Sequence, residues 1–216
     1  MLTLYLIRHG QTAYNAEGRI QGWRDVPLDA VGRRQAHLLA ARMTTLPLSA
    51  VYASPLARAW ETADLIARAC MLSPRADERL REYDMGAWTG LTFAEVRELW
   101  PDADHLDAVP GGESASAVAQ RVAAFLDDLL AHHARESSEA THVAVVSHGG
   151  TLGAMLGVMI GLPPRRRQPF TFGNASVSEV HFEHGRWRIH TLNEQHHLLA
   201  AITHPAGPSE GDVAPP

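Results

Sequence analysis

The chain has 216 residues, 45% hydrophobic and 20% charged, with a formal net charge of −5 when its 13 histidines are counted as neutral. This is the balance of a globular chain long enough to bury a substantial core, and its negative sign argues against non-specific nucleic-acid binding as the main role. A lone cysteine, Cys70, excludes an internal disulfide and fits a reducing cytosol, while no apolar run is long enough to span a bilayer, so a cytoplasmic location is expected.

The first element, over residues 2–7, is almost continuously apolar and reads as a strand buried on both faces of a parallel sheet. Arg8-His9-Gly10 follows at once. Asp29 offers an N-cap for a helix of about 15 residues that Pro47 stops. Residues 50–53 read as a second strand, and Ser54-Pro55 as the N-cap and first residue of a helix over 56–69. The segment from Glu82 to about Gly112 has the character of an insertion, with a short helix over 92–100 closed by Pro101.

A long helix is expected over 114–133, with Val118, Val122, Phe125, Leu126 and Leu129 on one face. Residues 141–146 form another apolar strand ending in Ser147-His148-Gly149-Gly150, with a helix expected over 151–160. Two last strands, 176–182 and 186–191, meet at His184-Gly185 as a hairpin. Strands alternating with helices predict a single three-layer α/β/α domain over 1–203, its mostly parallel sheet carrying an antiparallel edge. The Pro/Gly/Ser-rich residues 204–216 are expected to be a disordered tail.

Three of these strands end in groups suited to an anion. Ligands bind beyond the carboxyl ends of strands in open parallel sheets, so adjacent strands would gather Arg8, His9, Arg58 and His148 at one rim. Guanidinium forks match phosphate oxygens. The helix after Gly149-Gly150 would point its free N–H groups the same way.

Arg8-His9-Gly10-Gln11-Thr12 with Asn15 resembles the Arg-His-Gly-x-Thr-x-x-Asn signature of the histidine phosphatase (phosphoglycerate mutase-like) superfamily. The resemblance continues through Gln21-Gly22, Pro27-Leu28, the block from Ser54-Pro55-Leu56 through Arg58-Ala59 to Thr62-Ala63, Leu80-x-Glu82, Gly86-x-Trp88-x-Gly90, Gly111-Gly112-Glu113-Ser114 and Ser147-His148-Gly149-Gly150. It covers roughly residues 2–195. Each motif alone is weak; the ordered set is specific.

The resemblance implies a phosphoglycerate mutase-like fold with residues 85–112 inserted over the active site, and His9 as a nucleophile that becomes phosphorylated. It implies that Arg8, Arg58 and His148 bind the transferred phosphoryl group, that Glu82 is the general acid, and that Thr12, Asn15, Gln21, Gly22 and Gly149 line the phosphate site. The residues themselves support this logic. Cations around His9 keep its imidazole neutral and nucleophilic, and the same cations stabilise phosphoryl oxygens during transfer.

No metal and no cofactor is expected: His132-His133 are adjacent on a helix and do not share a face, and neither they nor His196-His197 come with a His-Glu-x-x-His pattern or a Cys cluster. The expected partner is a small phosphorylated metabolite rather than a nucleic acid or a membrane, with a homodimer left open. Glu113 is expected to serve its turn and the following helix. Arg165-Arg166-Arg167 is expected in a solvated loop or, alternatively, widening the positive field at the site mouth.

Two other readings stand beside phosphomonoester hydrolysis. One is a cofactor-dependent phosphoglycerate mutase. Glycolytic mutases of the family carry a Glu-Arg-His-Tyr-Gly block after the acid, and Glu82-Tyr83-Asp84-Met85-Gly86 lacks its Arg-His pair. The other is a non-catalytic phosphate-recognition module, against which the intact His9, Glu82 and His148 set speaks.

Overall fold

A computed structural model describes residues 1–102, 109–133 and 140–203; the tail assigned from sequence to 204–216 and part of the insertion lie outside the described residues. Six strands form one sheet in the order β3-β2-β4-β1-β5-β6. They are β1 (Leu2–Arg8), β2 (Leu48–Ala53), β3 (Pro74–Ala76), β4 (Thr141–Ser147), β5 (Val177–Glu183) and β6 (Arg186–Glu194). β1, β2, β3 and β4 pair in parallel, and β5 and β6 add an antiparallel edge. The helices are α1 (Ala13–Ala16), α2 (Ala30–Met43), α3 (Ala57–Ala69), α4 (Phe93–Leu99), α5 (Ala115–His133), α6 (Gly149–Met159) and α7 (His196–Thr203).

The unbroken apolar run of β1 has a direct cause. Leu2, Leu4 and Leu6 pack in one core with Val122, Phe125 and Leu129 of α5 and Leu152 of α6. Tyr5 and Ile7 pack in the other with Leu39 and Met43 of α2 and Ala63 and Ile66 of α3. With helices on both faces, neither parity of side chain meets water. A smaller cluster of Ile20, Trp88, Val96 and Val109 gives the inserted segment its own core. No helix among the described residues is long and apolar enough to cross a membrane.

The hairpin turn follows from backbone sterics. His184 and Gly185 sit at φ 50° and 73°, the paired left-handed conformations of a two-residue turn whose twist matches its strands.

Two local expectations are corrected. α3 begins at Ala57, not at Pro55, and Ser54 is not its N-cap. Asp25 from a distant loop accepts from the Ala57 N–H at 2.7 Å, which leaves the Ser54 hydroxyl to meet His148. α6 begins at Gly149, two residues earlier than the sequence reading, because both glycines are already helical. The short edge strand β3 and helix α7 were not anticipated; a three-residue strand opening on proline carries no alternation to read.

The N-terminus of α2 approaches the loop after β1 so closely that a Cβ at Gly32 would lie 2.0 Å from the Gln11 carbonyl oxygen. Both partners are backbone and cannot rotate away. Gly32→Ala is expected to destabilise the fold by roughly 1–3 kcal/mol through overpacking, outweighing alanine's better helix propensity. Urea denaturation checks this; an unchanged or raised midpoint would contradict the close packing.

Candidate active site

β4 lies between β1 and β2, so the loops leaving the carboxyl ends of these three strands are neighbours. Beyond those ends lies a cavity of about 260 Å³. His9, at the end of β1, lies on its wall and is 2% exposed. Its Nδ1 is 2.6 Å from the Gly10 carbonyl oxygen. A carbonyl only accepts, so Nδ1 carries the proton and Nε2 holds the lone pair. Burial pushes the His9 pKa well below its ordinary value of 6.5, and the Arg58 and Arg8 guanidiniums push it further. The ring is neutral. Its backbone is anchored from the opposite side: Ala175 N–H and Asn174 Nδ2 both donate to the His9 carbonyl, at 3.0 and 3.2 Å, and Asn174 Nδ2 also reaches Asn15 Oδ1 at 3.1 Å.

Arg8 donates through Nη1 to the Phe172 carbonyl at 2.5 Å, while its buried Nε has no protein acceptor. Arg58 is 1% exposed and acts as a hub. Its Nη1 donates to the Arg24 carbonyl at 2.9 Å, its Nη2 to the Gly22 carbonyl at 2.8 Å and its Nε to His148 Nδ1 at 3.2 Å. Burial lowers the Arg58 pKa to about 10, partly offset by the negative charges of Glu82 and Asp25. A guanidinium accepts no hydrogen bond, so His148 Nδ1 is the acceptor and His148 Nε2–H donates to Ser54 Oγ at 2.8 Å. Burial and the neighbouring cations keep His148 neutral too.

Glu82 meets the helix that sequence placed beside a phosphate. Its carboxylate accepts from the Gly150 N–H and the Thr151 N–H, each at 3.1 Å, while the Thr151 hydroxyl donates to the Arg81 carbonyl at 2.6 Å. An added Cβ at Gly150 would come within 2.6 Å of Glu82 Oε1, so only glycine admits the carboxylate here. The Glu82 segment is braced from behind. Arg121 donates to the Arg79, Arg81 and Glu82 carbonyls and forms a forked pair with Glu113, whose other contact is the Asp84 N–H. Glu113 thus does more than stabilise its own turn.

Of the residues singled out from sequence, Arg8, His9, Asn15, Gln21, Gly22, Arg58 and Glu82 line this one cavity. His148 is fully buried behind His9, ring centroids 5.1 Å apart, with both nitrogens engaged by protein. Thr12 is also fully buried; it caps α1 and donates to Gln21 Oε1 at 3.0 Å, behind the wall. Gly150 rather than Gly149 reaches the wall. Sequence reasoning missed Arg19, Ile20 and Tyr83, and the only available signal was their position beside Gln21 and Glu82. The inserted segment supplies Met85, Trp88 and Phe93 to the wall. Arg166 and Arg167 also line it, stacked over Trp88 and Phe93 at 4.5 and 5.6 Å, so the basic run belongs to the site mouth.

Two buried neutral imidazoles impose a pH dependence on folding. Between their depressed folded pKa values and about 6.5, the unfolded chain binds protons that the folded chain refuses. Their contribution is therefore fully present above pH 6.5 and is lost as the pH falls below it, at up to about 1.4 kcal/mol per pH unit for each histidine. Half-buried His197, lowered to about 4, adds in the same direction. The urea midpoint should fall steadily from pH 7 to pH 5. A flat profile would mean that these rings are charged or accessible.

A doubly wound sheet with a buried imidazole, two desolvated guanidiniums and a carboxylate around one cavity defines an enzyme of the phosphatase class. The chain belongs to the histidine phosphatase superfamily (branch 1), whose family model matches residues 4–195. It is 36% identical over 197 residues to "Probable phosphoglycerate mutase GpmB" of Yersinia enterocolitica, an alignment covering 87% of this chain and 88% of that protein. Its fold is similar to mycobacterial glucosyl-3-phosphoglycerate phosphatase in complex with VO3, with a TM-score of 0.81 and 33% identity, covering 88% of this chain and 98% of that one. It is equally similar to Bacillus stearothermophilus YhfR, with a TM-score of 0.81 and 32% identity, covering 91% and 100% of the two chains.

Proposed function

We propose that this enzyme hydrolyses small phosphomonoesters through a phosphohistidine on His9. The observation that carries the reading is the hydrogen bond from His9 Nδ1 to the Gly10 carbonyl, which leaves Nε2 unprotonated in a ring kept neutral by burial and by the Arg58 and Arg8 guanidiniums. Nε2 attacks phosphorus, the N–P bond forms and the ester P–O bond breaks. Glu82, a carboxylate before substrate binds, takes up a proton with the incoming phosphate dianion, donates it to the departing alkoxide and becomes a carboxylate again. It then takes a proton from water as that oxygen attacks phosphorus, the N–P bond breaks, and His9 and Glu82 return to the forms they held with substrate bound. Arg8 and Arg58 balance the charge on the transferring oxygens, the term that positioning and electrostatics dominate in phosphoryl transfer. His148 acts through Arg58, whose fork it orients. Every proton in this sequence has a side chain to carry it.

Rapid mixing with 32P-labelled phosphomonoester, followed by denaturation in alkali, tests the reading. An acid-labile, alkali-stable label on the His9 peptide is expected; a label on another residue, or a single-step exchange with no labelled enzyme, would overturn it.

The curated relatives favour a second reading, interconversion of phosphoglycerates. The two share the phosphohistidine and differ in who receives the phosphoryl group. Release of inorganic phosphate that greatly exceeds isomerisation of 3-phosphoglycerate supports hydrolysis; the reverse ratio supports the mutase.

Glu82→Gln is expected to slow an alkyl phosphate by ~10²–10⁴-fold and p-nitrophenyl phosphate far less, because nitrophenolate leaves without a proton. A dependence of rate on leaving-group pKa checks this. Equal losses on both substrates would move the acid role away from Glu82.

A further inference from the structure

At the other end of the sheet from the cavity, β5 and β6 bring Glu179, His181 and His190 together, and one ligand atom from each lies within 4.8 Å of the others. Glu179 and His181 are two apart on β5 and share a face; Glu179 Oε1 is 2.6 Å from His181 Nε2. His190 arrives from β6. Ile189 pairs with Val180 and Thr191 with Glu179, so His190 is the extra residue of a bulge. Bulges re-aim side chains. Here the His190 ring lies over His181 with centroids 3.6 Å apart and planes 27° apart.

We infer that this cluster is a structural site for a divalent cation of the zinc type, stapling the edge hairpin. Two imidazole nitrogens and a carboxylate oxygen form a donor set that zinc accepts, with bonds of about 2.0–2.2 Å and neighbouring donors about 3.3 Å apart. The observed spacing brackets that value, and exposed His190 has the freedom to make the adjustment. A solvent molecule would complete a tetrahedron on the open side. The groups behind the cluster do not compete: Tyr5 and His142, from β1 and β4, are paired with each other at 3.1 Å.

The site is remote from the chemistry. His181 is opposite Thr3, six residues before His9 and hence about 20 Å away along β1. Its consequence is mechanical. A bound ion would tie β6 to β5, and the turn entering β5 carries the Asn174 and Ala175 donors that hold the His9 carbonyl.

The test uses untagged full-length protein stripped with EDTA and titrated with ZnCl₂, read by calorimetry and by thermal unfolding without substrate, and so stands apart from the phosphatase reading. One saturable equivalent is expected, with Tm raised by roughly 5–10 °C at a hundredfold excess over Kd. Replacing zinc with Co²⁺ should give the visible absorption of a low-coordinate nitrogen–oxygen site. His190→Ala, an exposed change that leaves the fold intact, and Glu179→Gln should each abolish the equivalent and the Tm rise, while His196→Ala should retain both. Absence of a saturable equivalent, or binding undiminished in His190→Ala, would overturn the inference.

Discussion

His9→Ala should reduce kcat by roughly 10⁴–10⁶-fold, the scale on which a hydrolase loses turnover when its covalent nucleophile is removed. The size of the effect follows from the surroundings of the ring. His148 is the other imidazole nearby, and its two nitrogens are committed to Arg58 and Ser54. Arg8 and Arg58 are cations, and Glu82 is held by the first turn of α6. None of these is a substitute nucleophile. The fold should survive, because the His9 contacts with Asn174 and Ala175 are made by its backbone. Steady-state assay with unfolding in parallel checks both halves. A variant that folds normally and retains more than a few per cent of activity would remove His9 from the mechanism.

Arg58→Met should separate activity from stability. The pKa of Arg58 falls from 12.5 to about 10 mainly through burial, which corresponds to about 3 kcal/mol of stress on the charged form. Its hydrogen-bond partners are two carbonyls and a neutral imidazole, not a contacting carboxylate. Removing the guanidinium relieves the stress but leaves those three acceptors unpaired, at about 1–3 kcal/mol each where water does not reach them. Set against the relief of about 3 kcal/mol, the unpaired acceptors leave a net loss expected between about 0 and 6 kcal/mol, smallest where water reaches the freed carbonyls. Catalysis has no such compensation, and kcat/KM should fall by roughly 10³-fold with the loss of forked donors to the transferring oxygens. Arg58→Lys should recover only part of that, since an ammonium keeps the charge without the fork. A loss of stability with activity largely intact would make Arg58 a structural residue.

Much of the fold was legible because its signals are local. The apolar runs of β1 and β4 read as doubly covered strands, Asp29 caps α2, and His184-Gly185 sets the hairpin. The strand ends were expected to gather Arg8, His9 and Arg58, and the three line one cavity. The contacts that shape the site join residues far apart in the chain. No periodicity reveals that Asp25 caps α3, that Gly150 must be bare to admit Glu82, or that Arg121 and Glu113 brace the Glu82 segment.

The sequence by itself determined which polar groups follow the apolar strands, because hydrophobic alternation and turn residues act over a few neighbours. Only the tertiary structure decided how those groups are partnered: His148 behind Arg58 rather than on the wall, Glu82 on the first turn of α6, His190 over His181. Hydrogen-bond partnership and desolvation are settled by which distant backbone and side-chain atoms share a buried space, and that is fixed only when the two cores close on the sheet.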